Sequence, residues 1–255
     1  MNALLDLLIQ AALAAGKEIE RIYAAGCASE TKADGSVVTE ADHRAEAIIL
    51  SCLAEHFPAI PVIAEEEACA GRIPHIGRRF FLVDPLDGTR GFVERNGEFT
   101  VNIALIEDGV ATTGVIYAPD QHVLYFGAIG EGAYRRRDGE ASEAIQVRLA
   151  PDEGLTVVSS RTTADKTRER LSGVGIAGFA PSSSSLKFCL LAEGSADVYP
   201  RYGTTMEWDT AAGQAILEAA GGRVMRLDGD REAGPLRYGN AAANFTNPHF
   251  IAWGA

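Results

Sequence analysis

Apolar residues recur every three to four positions at the start of the chain, and this spacing predicts an amphipathic helix that ends at Gly26. A second helix is predicted after Thr39, which is a favourable N-cap residue, and Asp42 then occupies the third helical position. Short apolar runs at residues 60–64 and 80–83 have the length of buried strands. The first part of the chain is therefore predicted to alternate helices and strands.

From residue 99 to residue 128, strand-like alternation is interrupted by Asp-Gly and Pro-Asp turns, which predicts an antiparallel meander. A Pro-Asp-Glu-Gly segment at 151–154 is a plausible boundary, and helix-like and strand-like segments alternate again beyond it. The alternation beyond this boundary predicts an α/β architecture. The serine run at 182–185 is suited to capping a helix.

The composition is that of an ordinary globular protein, with 255 residues, 47% of them hydrophobic and 23% charged. The formal net charge of −12 argues against binding of a nucleic acid polymer. A small polyanionic substrate is still compatible with this charge, because a bound divalent cation can invert the field inside one cleft.

The chain has four cysteines without metal-type spacing, which favours free thiols in a reducing compartment. These residues are Cys27, Cys52, Cys69 and Cys189. The apolar N-terminal segment lacks the basic region of a signal peptide. We therefore expect a cytoplasmic protein. Peripheral association with the inner membrane face and formation of a homodimer are both left open.

The most informative stretch is the hexapeptide Asp84-Pro85-Leu86-Asp87-Gly88-Thr89, which follows the apolar run at 80–83. The two carboxylates can converge on one hard cation, because Pro85 fixes its own φ and Gly88 lets the backbone fold tightly. Successive N–H groups at residues 87–89 would form an anion-binding concavity beside that cation. A strand followed by a plain Pro-Gly turn explains the same residues when they are taken alone.

Further carboxylates stand at strand ends or helix starts, and each has a structural alternative. The run at 65–67, which begins with Glu65, is also typical of a solvated surface patch, and Asp209 is also a good helix N-cap. So many carboxylates brought together would repel one another unless cations neutralised them. Oxygen ligands without His or Cys favour Mg²⁺, and we expect two or more ions bridged by Asp84 and Glu65.

The same residues suggest a hydrolytic mechanism, in which metal ions orient and deprotonate a water molecule. Thr89 would accept a hydrogen bond from this water and donate its own to Asp42, although Asp42 also has a purely capping alternative. Lys187 lies in the first turn of a predicted helix, where a cation is unfavourable unless an anionic ligand binds there. A solvated surface lysine is the alternative for Lys187.

Three motifs together carry a resemblance to a known family: Glu65-Glu66, DPLDGT at 84–89 and WDTAAG at 208–213. They resemble the lithium-sensitive, Mg²⁺-dependent phosphatase superfamily that includes inositol monophosphatase and fructose bisphosphatase. Three longer stretches resemble the CysQ-type 3'(2'),5'-bisphosphate nucleotidases, and this similarity runs along nearly the whole chain. The stretches are DPLDGTRGFVERNGEFTVNIALI, SSSLKFCLLAEG and YPRYGTTMEWDTAAG.

The resemblance implies a layered αβαβα sugar-phosphatase fold of the α/β class, with an α+β N-terminal part over 1–150 and an α/β C-terminal part over 151–255. It also implies that the protein binds two or three Mg²⁺ ions. The implied metal ligands are Glu65, Asp84, Asp87, Asp209 and the backbone carbonyl of Leu86. The implied catalytic residues are Asp42, Thr89 and Glu65. The implied substrate contacts are Asp87, Gly88, Thr89, Ser184, Lys187, Arg201 and Asp209.

The implied substrate is 3'-phosphoadenosine 5'-phosphate, a nucleotide bisphosphate formed in sulfate assimilation, which would be hydrolysed to AMP and phosphate. Its sulfated analogue, 3'-phosphoadenosine 5'-phosphosulfate, is a further implied substrate. Two other hypotheses stay open at this point. One is an inositol monophosphatase, and the other is a non-catalytic protein that binds nucleotide and Mg²⁺ to regulate a partner.

Overall fold

The structure is a computed structural model that describes residues 2–26, 28–32, 35, 37–159, 164–171, 173 and 175–255. Cys27 lies outside the described residues. Cys52 and Cys189 are free thiols, as the cysteine spacing predicts.

The helices of the described chain include both helices that the N-terminal spacing predicts. They are α1 (Ala3–Ala25), α2 (Glu40–His56), α3 (Glu65–Cys69), α4 (Thr89–Val93), α5 (Ala164–Arg170), α6 (Leu186–Ala192) and α7 (Glu207–Ala219). Gly26 follows α1 with a φ of 75°, a backbone conformation that glycine adopts without strain. No helix in the described ranges is long and apolar enough to cross a membrane.

The strands form a short hairpin and two larger sheets. The hairpin is β1 (Ser29–Thr31) with β2 (Val37–Thr39). The strands of the first large sheet are β3 (Val62–Ala64), β4 (Arg79–Asp87), β5 (Thr100–Glu107), β6 (Val110–Ala118), β7 (Val123–Ala128), β8 (Gly132–Arg137) and β9 (Glu143–Ile145). The strands of the second are β10 (Leu155–Ser159), β11 (Ile176–Pro181), β12 (Val198–Arg201), β13 (Arg223–Asp228), β14 (Arg231–Pro235) and β15 (Phe250–Trp253).

In the first large sheet, the strands lie side by side in sequence order from β3 to β9. β3 is parallel to β4, and every later pair is antiparallel, so the predicted meander is confirmed. In the second large sheet the spatial order is β11-β10-β12-β15-β13-β14. Parallel pairs on one side of this sheet give way to antiparallel pairs at β15.

The helices and sheets stack in five layers, as predicted for an αβαβα fold. α1 and α2 pack on one face of the first sheet, around a core that includes Leu8, Ile49 and Phe81. α6 and α7 fill the space between the two sheets. Leu171, directly after α5, packs on the outer face of the second sheet. Because α7 of the C-terminal part packs directly against β5 and β6, the division at residue 150 stays a prediction.

The strand predicted to end at residue 83 is longer than expected, because β4 continues through the hexapeptide to Asp87. Its pairing with β5 shifts register between Asp84 and Asp87, so Pro85 and Leu86 form a bulge. Proline has no N–H to donate to a neighbouring strand, and a bulge is where a sheet tolerates this loss. The prediction of a turn outside the sheet was therefore wrong.

The close approach of α7 to the first sheet depends on Gly114 in β6, because a Cβ there would overlap the carbonyl oxygen of Ala212. We expect Gly114→Ala to destabilise the protein by about 2 kcal/mol, since the helix must move away from the sheet. Urea unfolding monitored by circular dichroism measures this change. The matched control is Gly178→Ala in β11, where a Cβ meets nothing within 4 Å. If both variants unfold at the same urea concentration, Gly114 does not set the helix position.

Candidate active site

The bulge at the end of β4 places two predicted metal ligands on the same strand. Asp84 lies opposite Asn102, and Asp87 lies opposite Thr100 in β5. The N–H of Leu86 donates to Oδ1 of Asp84 over 3.0 Å, so the bulge is held by the side chain of its own first residue. The two carboxylates therefore come from a short segment whose shape is fixed by its pairing with β5 and by the hydrogen bond within the bulge.

Gly88 links this bulge to α4 and has a φ of 91°, in the left-handed region that favours glycine. A Cβ at this position would lie 2.8 Å from the carbonyl oxygen of Glu98, so only glycine fits. Thr89 then begins α4, and its Oγ1 lies 3.0 Å from Oδ1 of Asp42 and 3.0 Å from the carbonyl oxygen of Leu86. The single hydroxyl proton of Thr89 can serve only one of these acceptors at a time.

Asp42 combines the two roles that the sequence leaves open. Its Oδ2 accepts the backbone N–H and the hydroxyl of Thr39, both over 2.8 Å, which completes the predicted capping box of α2. Its Oδ1 stays available for Thr89. Burial raises the pKa of Asp42, and the hydrogen bonds from Thr39 and Thr89 oppose this rise. The capping bonds thus hold the carboxylate in the position that the predicted proton relay requires.

Four predicted metal ligands lie close enough to perturb one another: Glu65, Asp84, Asp87 and Asp209. Burial raises the pKa of Asp84 well above its usual range, and the carboxylates of the other three raise it further. Burial and the nearby carboxylate of Asp87 raise the pKa of Asp209 in the same direction. Such a group of buried acids is stable in its charged form only if cations neutralise it.

Asp209 is not the N-cap of α7, which corrects one of the sequence alternatives. The helix begins at Glu207, and Asp209 is its third residue. Its Oδ2 accepts the N–H of Met206 over 2.8 Å, so it satisfies one of the free N–H groups at the start of the helix. Asp209 therefore stabilises the helix start while its carboxylate faces the other acids.

The carboxylates do not converge as a finished ligand set: among the described residues, no three His, Cys, Asp or Glu side chains are placed to hold a metal as they stand. Two contacts explain this. Oδ2 of Asp87 accepts the N–H of Ser185 over 2.6 Å, and Glu65 accepts from Lys32 over 2.9 Å. The chemistry of the donors nevertheless fits a hard cation, because they are all oxygens on fixed backbone segments.

Lys32 is a site residue to which no sequence pattern points. It precedes β2, far along the chain from the acids, yet its ammonium donates to Glu65 and also to Glu66, over 2.7 Å. Burial lowers the pKa of Lys32, but the two carboxylates outweigh this effect and raise it overall. Lys32 therefore occupies the place beside Glu65 where a cation is expected.

The run at 65–67 is not a solvated patch, because the side chain of Glu66 is only 5% exposed. Glu46 of α2 accepts the N–H groups of Glu66 and Glu67 over 2.8 and 3.0 Å, and so fixes the start of α3. Burial raises the pKa of Glu46 to about 7. The sequence contains a signal for this residue: Glu46 lies on the apolar side of α2, next to Ala45 and Ile49.

Five of the seven predicted substrate residues line a cavity of about 240 Å³, whereas Gly88 and Thr89 are not part of its lining. Its lining includes Asp87, Ser184, Lys187, Arg201 and Asp209. The guanidinium Nε of Arg201 is buried and has no hydrogen-bond partner among the described residues. The guanidinium of Arg201 thus lies in the cavity wall, where its Nη2 donates to the carbonyl oxygen of Thr204 over 3.1 Å.

Lys187 is not a solvated surface lysine, since only 6% of the residue is exposed. Its ammonium donates to the carbonyl oxygen of Ser184 over 2.5 Å and lies 5.4 Å above the ring of Tyr199. Burial lowers the pKa of Lys187 to about 8, against the attraction of Asp87, and Arg201 lowers it further. A buried ammonium with one hydrogen bond has donors left for an anionic ligand.

The sequence predicted that the serine run caps α6, but in the structure no serine side chain makes a capping bond. Ser185 is the N-cap residue, but no side-chain capping bond is present there. Its Oγ instead contacts Thr100 over 2.8 Å and donates to Asn102 over 2.7 Å. The serines therefore attach the start of α6 to the first sheet.

Comparisons with known proteins agree with this arrangement. Residues 1–252 match the model of the inositol monophosphatase family. The chain is 44% identical to the 3'(2'),5'-bisphosphate nucleotidase CysQ of Salmonella typhimurium over 97% of this chain and 98% of that protein. The crystal structure of CysQ from Bacteroides thetaiotaomicron matches with a TM-score of 0.78 and 37% identity, over 98% and 96% of the two chains. An IMPase of Thermotoga maritima matches with a TM-score of 0.76 and 26% identity, over 98% and 91%.

We predict that Lys32 stabilises the protein mainly when no metal is bound. Lys32→Met leaves Glu66 without its cation, and we expect a loss of about 3 kcal/mol in metal-free buffer, because removal of one partner of a buried ion pair is costly. With saturating Mg²⁺ the loss should be smaller, since the metal neutralises the same acids. Urea unfolding with and without Mg²⁺ measures both values.

The control for this comparison is Lys17→Met, which changes an exposed lysine of α1 and should have little effect in either buffer. An equal loss for Lys32→Met with and without Mg²⁺ would show that the metal does not replace the lysine.

Proposed function

The chain belongs to the inositol monophosphatase family, and on this basis we propose that it is a Mg²⁺-dependent 3'(2'),5'-bisphosphate nucleotidase. The reaction is hydrolysis of the 3'-phosphate of 3'-phosphoadenosine 5'-phosphate, which yields AMP and inorganic phosphate. 3'-Phosphoadenosine 5'-phosphosulfate is a second candidate substrate. A cytoplasmic location and a homodimer stay predictions.

The observation that supports this function is the pair of cations in the cavity beside the metal ligands. Lys187 and Arg201 line the same space as Asp87 and Asp209, and Lys187 is almost fully buried there. Burying an ammonium is unfavourable unless a charge partner compensates for its lost hydration. Asp87 and Asp209 attract Lys187 here, and if these acids held metal, a second phosphate would supply the partner that a sugar monophosphate lacks.

The acidic side of the cavity would hold the metal and the phosphate that is removed. We assign Glu65, Asp84, Asp87, Asp209 and the carbonyl oxygen of Leu86 to two or three Mg²⁺ ions. When bound, Mg²⁺ supplies Lewis-acid activation of a water molecule and stabilises charge on the departing oxygen. The N–H groups of Gly88 and Thr89, at the start of α4, would donate to the transferred phosphoryl group.

Thr89 and Asp42 would orient the attacking water. While Thr89 donates its proton to Oδ1 of Asp42, its oxygen has lone pairs free to accept a hydrogen bond from water. Thr39 keeps Asp42 in place through two bonds to the other carboxylate oxygen. A water bound at this position would donate to Thr89 and would keep a lone pair for attack on the phosphorus.

Two other functions have less support. An inositol monophosphatase needs the acids and Thr89, but it has no use for Lys187 and Arg201 as a second anion site. A non-catalytic nucleotide sensor needs the phosphate contacts, but it has no use for the hydrogen bond between Thr89 and Asp42. The nucleotidase is the function that uses every one of these contacts.

We expect the purified protein to release phosphate from 3'-phosphoadenosine 5'-phosphate much faster than from inositol 1-phosphate, with Mg²⁺ present and not with chelator. Lys187→Met should lower kcat/KM for the bisphosphate by about a hundredfold, because it removes a charged hydrogen bond, and should change inositol 1-phosphate turnover little. Phosphate release assays measure both. Preference for inositol 1-phosphate would support the monophosphatase, and release from neither substrate would support the sensor.

Thr89→Val keeps the shape of the side chain and removes its hydroxyl, and we expect kcat to fall at least about a hundredfold. Substrate affinity should change little, because the phosphate contacts at this position come from the backbone. Thr89→Ser restores the hydroxyl and is the matched control, which should recover most of the activity. Hydrolysis by Thr89→Val at the wild-type rate would remove Thr89 from the mechanism.

A further inference from the structure

One face of β5 changes from apolar to polar where it reaches the site. Ala104 and Ile106 lie on this face and pack in the core around α6 and α7. Further along the same face come Asn102 and Thr100, which are 1% and 0% exposed. Buried polar side chains need hydrogen-bond partners, so their contacts indicate what they do.

Thr100 contacts both serines at the start of α6. Its Oγ1 lies 2.6 Å from Oγ of Ser184 and 2.8 Å from Oγ of Ser185. Ser185 donates its hydroxyl proton to Oδ1 of Asn102 over 2.7 Å. Because that proton is used, Ser185 can only accept from Thr100, and Thr100 in turn can only accept from Ser184. The hydroxyls therefore form a chain with one direction.

This chain is connected to the metal strand through the backbone. The N–H of Ser185 donates to Oδ2 of Asp87 over 2.6 Å. Lys187 lies two residues further along, in the first turn of α6. Thr100 therefore supports the segment that joins a proposed metal ligand to the proposed second-phosphate site.

One polar atom of the Asn102 side chain makes no hydrogen bond. Its Nδ2 is buried and has no hydrogen-bond partner among the described residues. The strand register places Asn102 directly opposite Asp84, so the two side chains project from the same face of the sheet. Asp84 accepts the N–H of Leu86 with Oδ1. An unused amide donor thus lies next to the most deeply buried proposed metal ligand.

We propose that Thr100 and Asn102 are positioning residues for this active site, with separate tasks. Thr100 holds the start of α6, and with it Lys187, against the metal strand. Nδ2 of Asn102, which has no partner among the described residues, is the donor from which the carboxylate of Asp84 would accept when a metal is bound, and this bond would fix the orientation of the carboxylate. Hydrogen bonds to ligating carboxylates commonly tune metal affinity in this way. The inference rests on the proposed function, because Lys187 and Asp84 are substrate-binding and metal-binding residues only in the proposed nucleotidase.

Thr100→Val and Thr100→Ser test the first task. The valine variant keeps the side-chain shape and loses both hydrogen bonds, and we expect KM for 3'-phosphoadenosine 5'-phosphate to rise about tenfold with kcat within about threefold of wild type. The serine variant keeps the hydroxyl and should restore KM. The matched control is Thr113→Val, a buried threonine of β6 outside this network, which should leave KM unchanged.

Asn102→Leu tests the second task by calorimetric titration with Mg²⁺ in the absence of substrate. We expect Mg²⁺ binding to weaken about tenfold, while Thr100→Val and Thr113→Val bind Mg²⁺ as the wild type does. Asn102→Ser, which is smaller and polar, is measured beside it so that a misfolded leucine variant does not decide the outcome. Unchanged Mg²⁺ binding by a folded Asn102 variant would overturn the role of Asn102.

The two proposals can fail separately. If wild-type protein does not hydrolyse the bisphosphate but Asn102 variants still bind Mg²⁺ more weakly, the proposed function is wrong and the positioning role of Asn102 is supported. If wild-type protein hydrolyses the bisphosphate and Thr100→Val has the wild-type KM, the role of Thr100 is wrong and the proposed function stands.

Discussion

The mutual repulsion of buried carboxylates is the constraint on which this structure depends. Asp84 is 1% exposed and lies close to three other acids, an arrangement that raises its pKa well above the usual range. Without a cation the group would be protonated or would move apart. At one edge of the group, the ammonium of Lys32 neutralises Glu65. The N–H of Ser185 stabilises the carboxylate of Asp87 in part, by donating a hydrogen bond to it. A divalent metal would neutralise the carboxylates more completely, and for this reason the geometry favours metal binding.

Holding these acids together requires rigid elements on every side. The bulge in β4 fixes two of them, α3 carries Glu65, and α7 carries Asp209. The middle helical layer lies between two sheets, so Asp209 is placed by contacts with both. The small surface of Gly114 lets α7 approach closely enough for Asp209 to face β4. Packing far from the chemistry therefore sets the separation of the acids.

Periodicity and capping residues predicted most of the elements, including α1, α2, the meander and the alternation after residue 154. These signals are local, because a helix or strand shows its buried face within a few residues. The bulge in β4 was not predictable in the same way, since it depends on register with β5. Lys32 and the Thr100 contacts were also invisible, because they join segments far apart in the chain. The metal ligands were found through motifs, whose roles stay predictions.

The balance of charge in the cavity explains how an acidic protein can bind a polyanion. Two carboxylates, Asp87 and Asp209, and two cations, Lys187 and Arg201, line the same space. The two carboxylates attract the ammonium of Lys187 within this space. Binding of divalent ions would add positive charge to this space, and the effect would be strong because the surroundings are buried and poorly screened. The acids of the site contribute to the net charge of −12, and bound cations would offset their part of it. Metal loading would therefore precede tight substrate binding, since the metal creates the field that a bisphosphate requires.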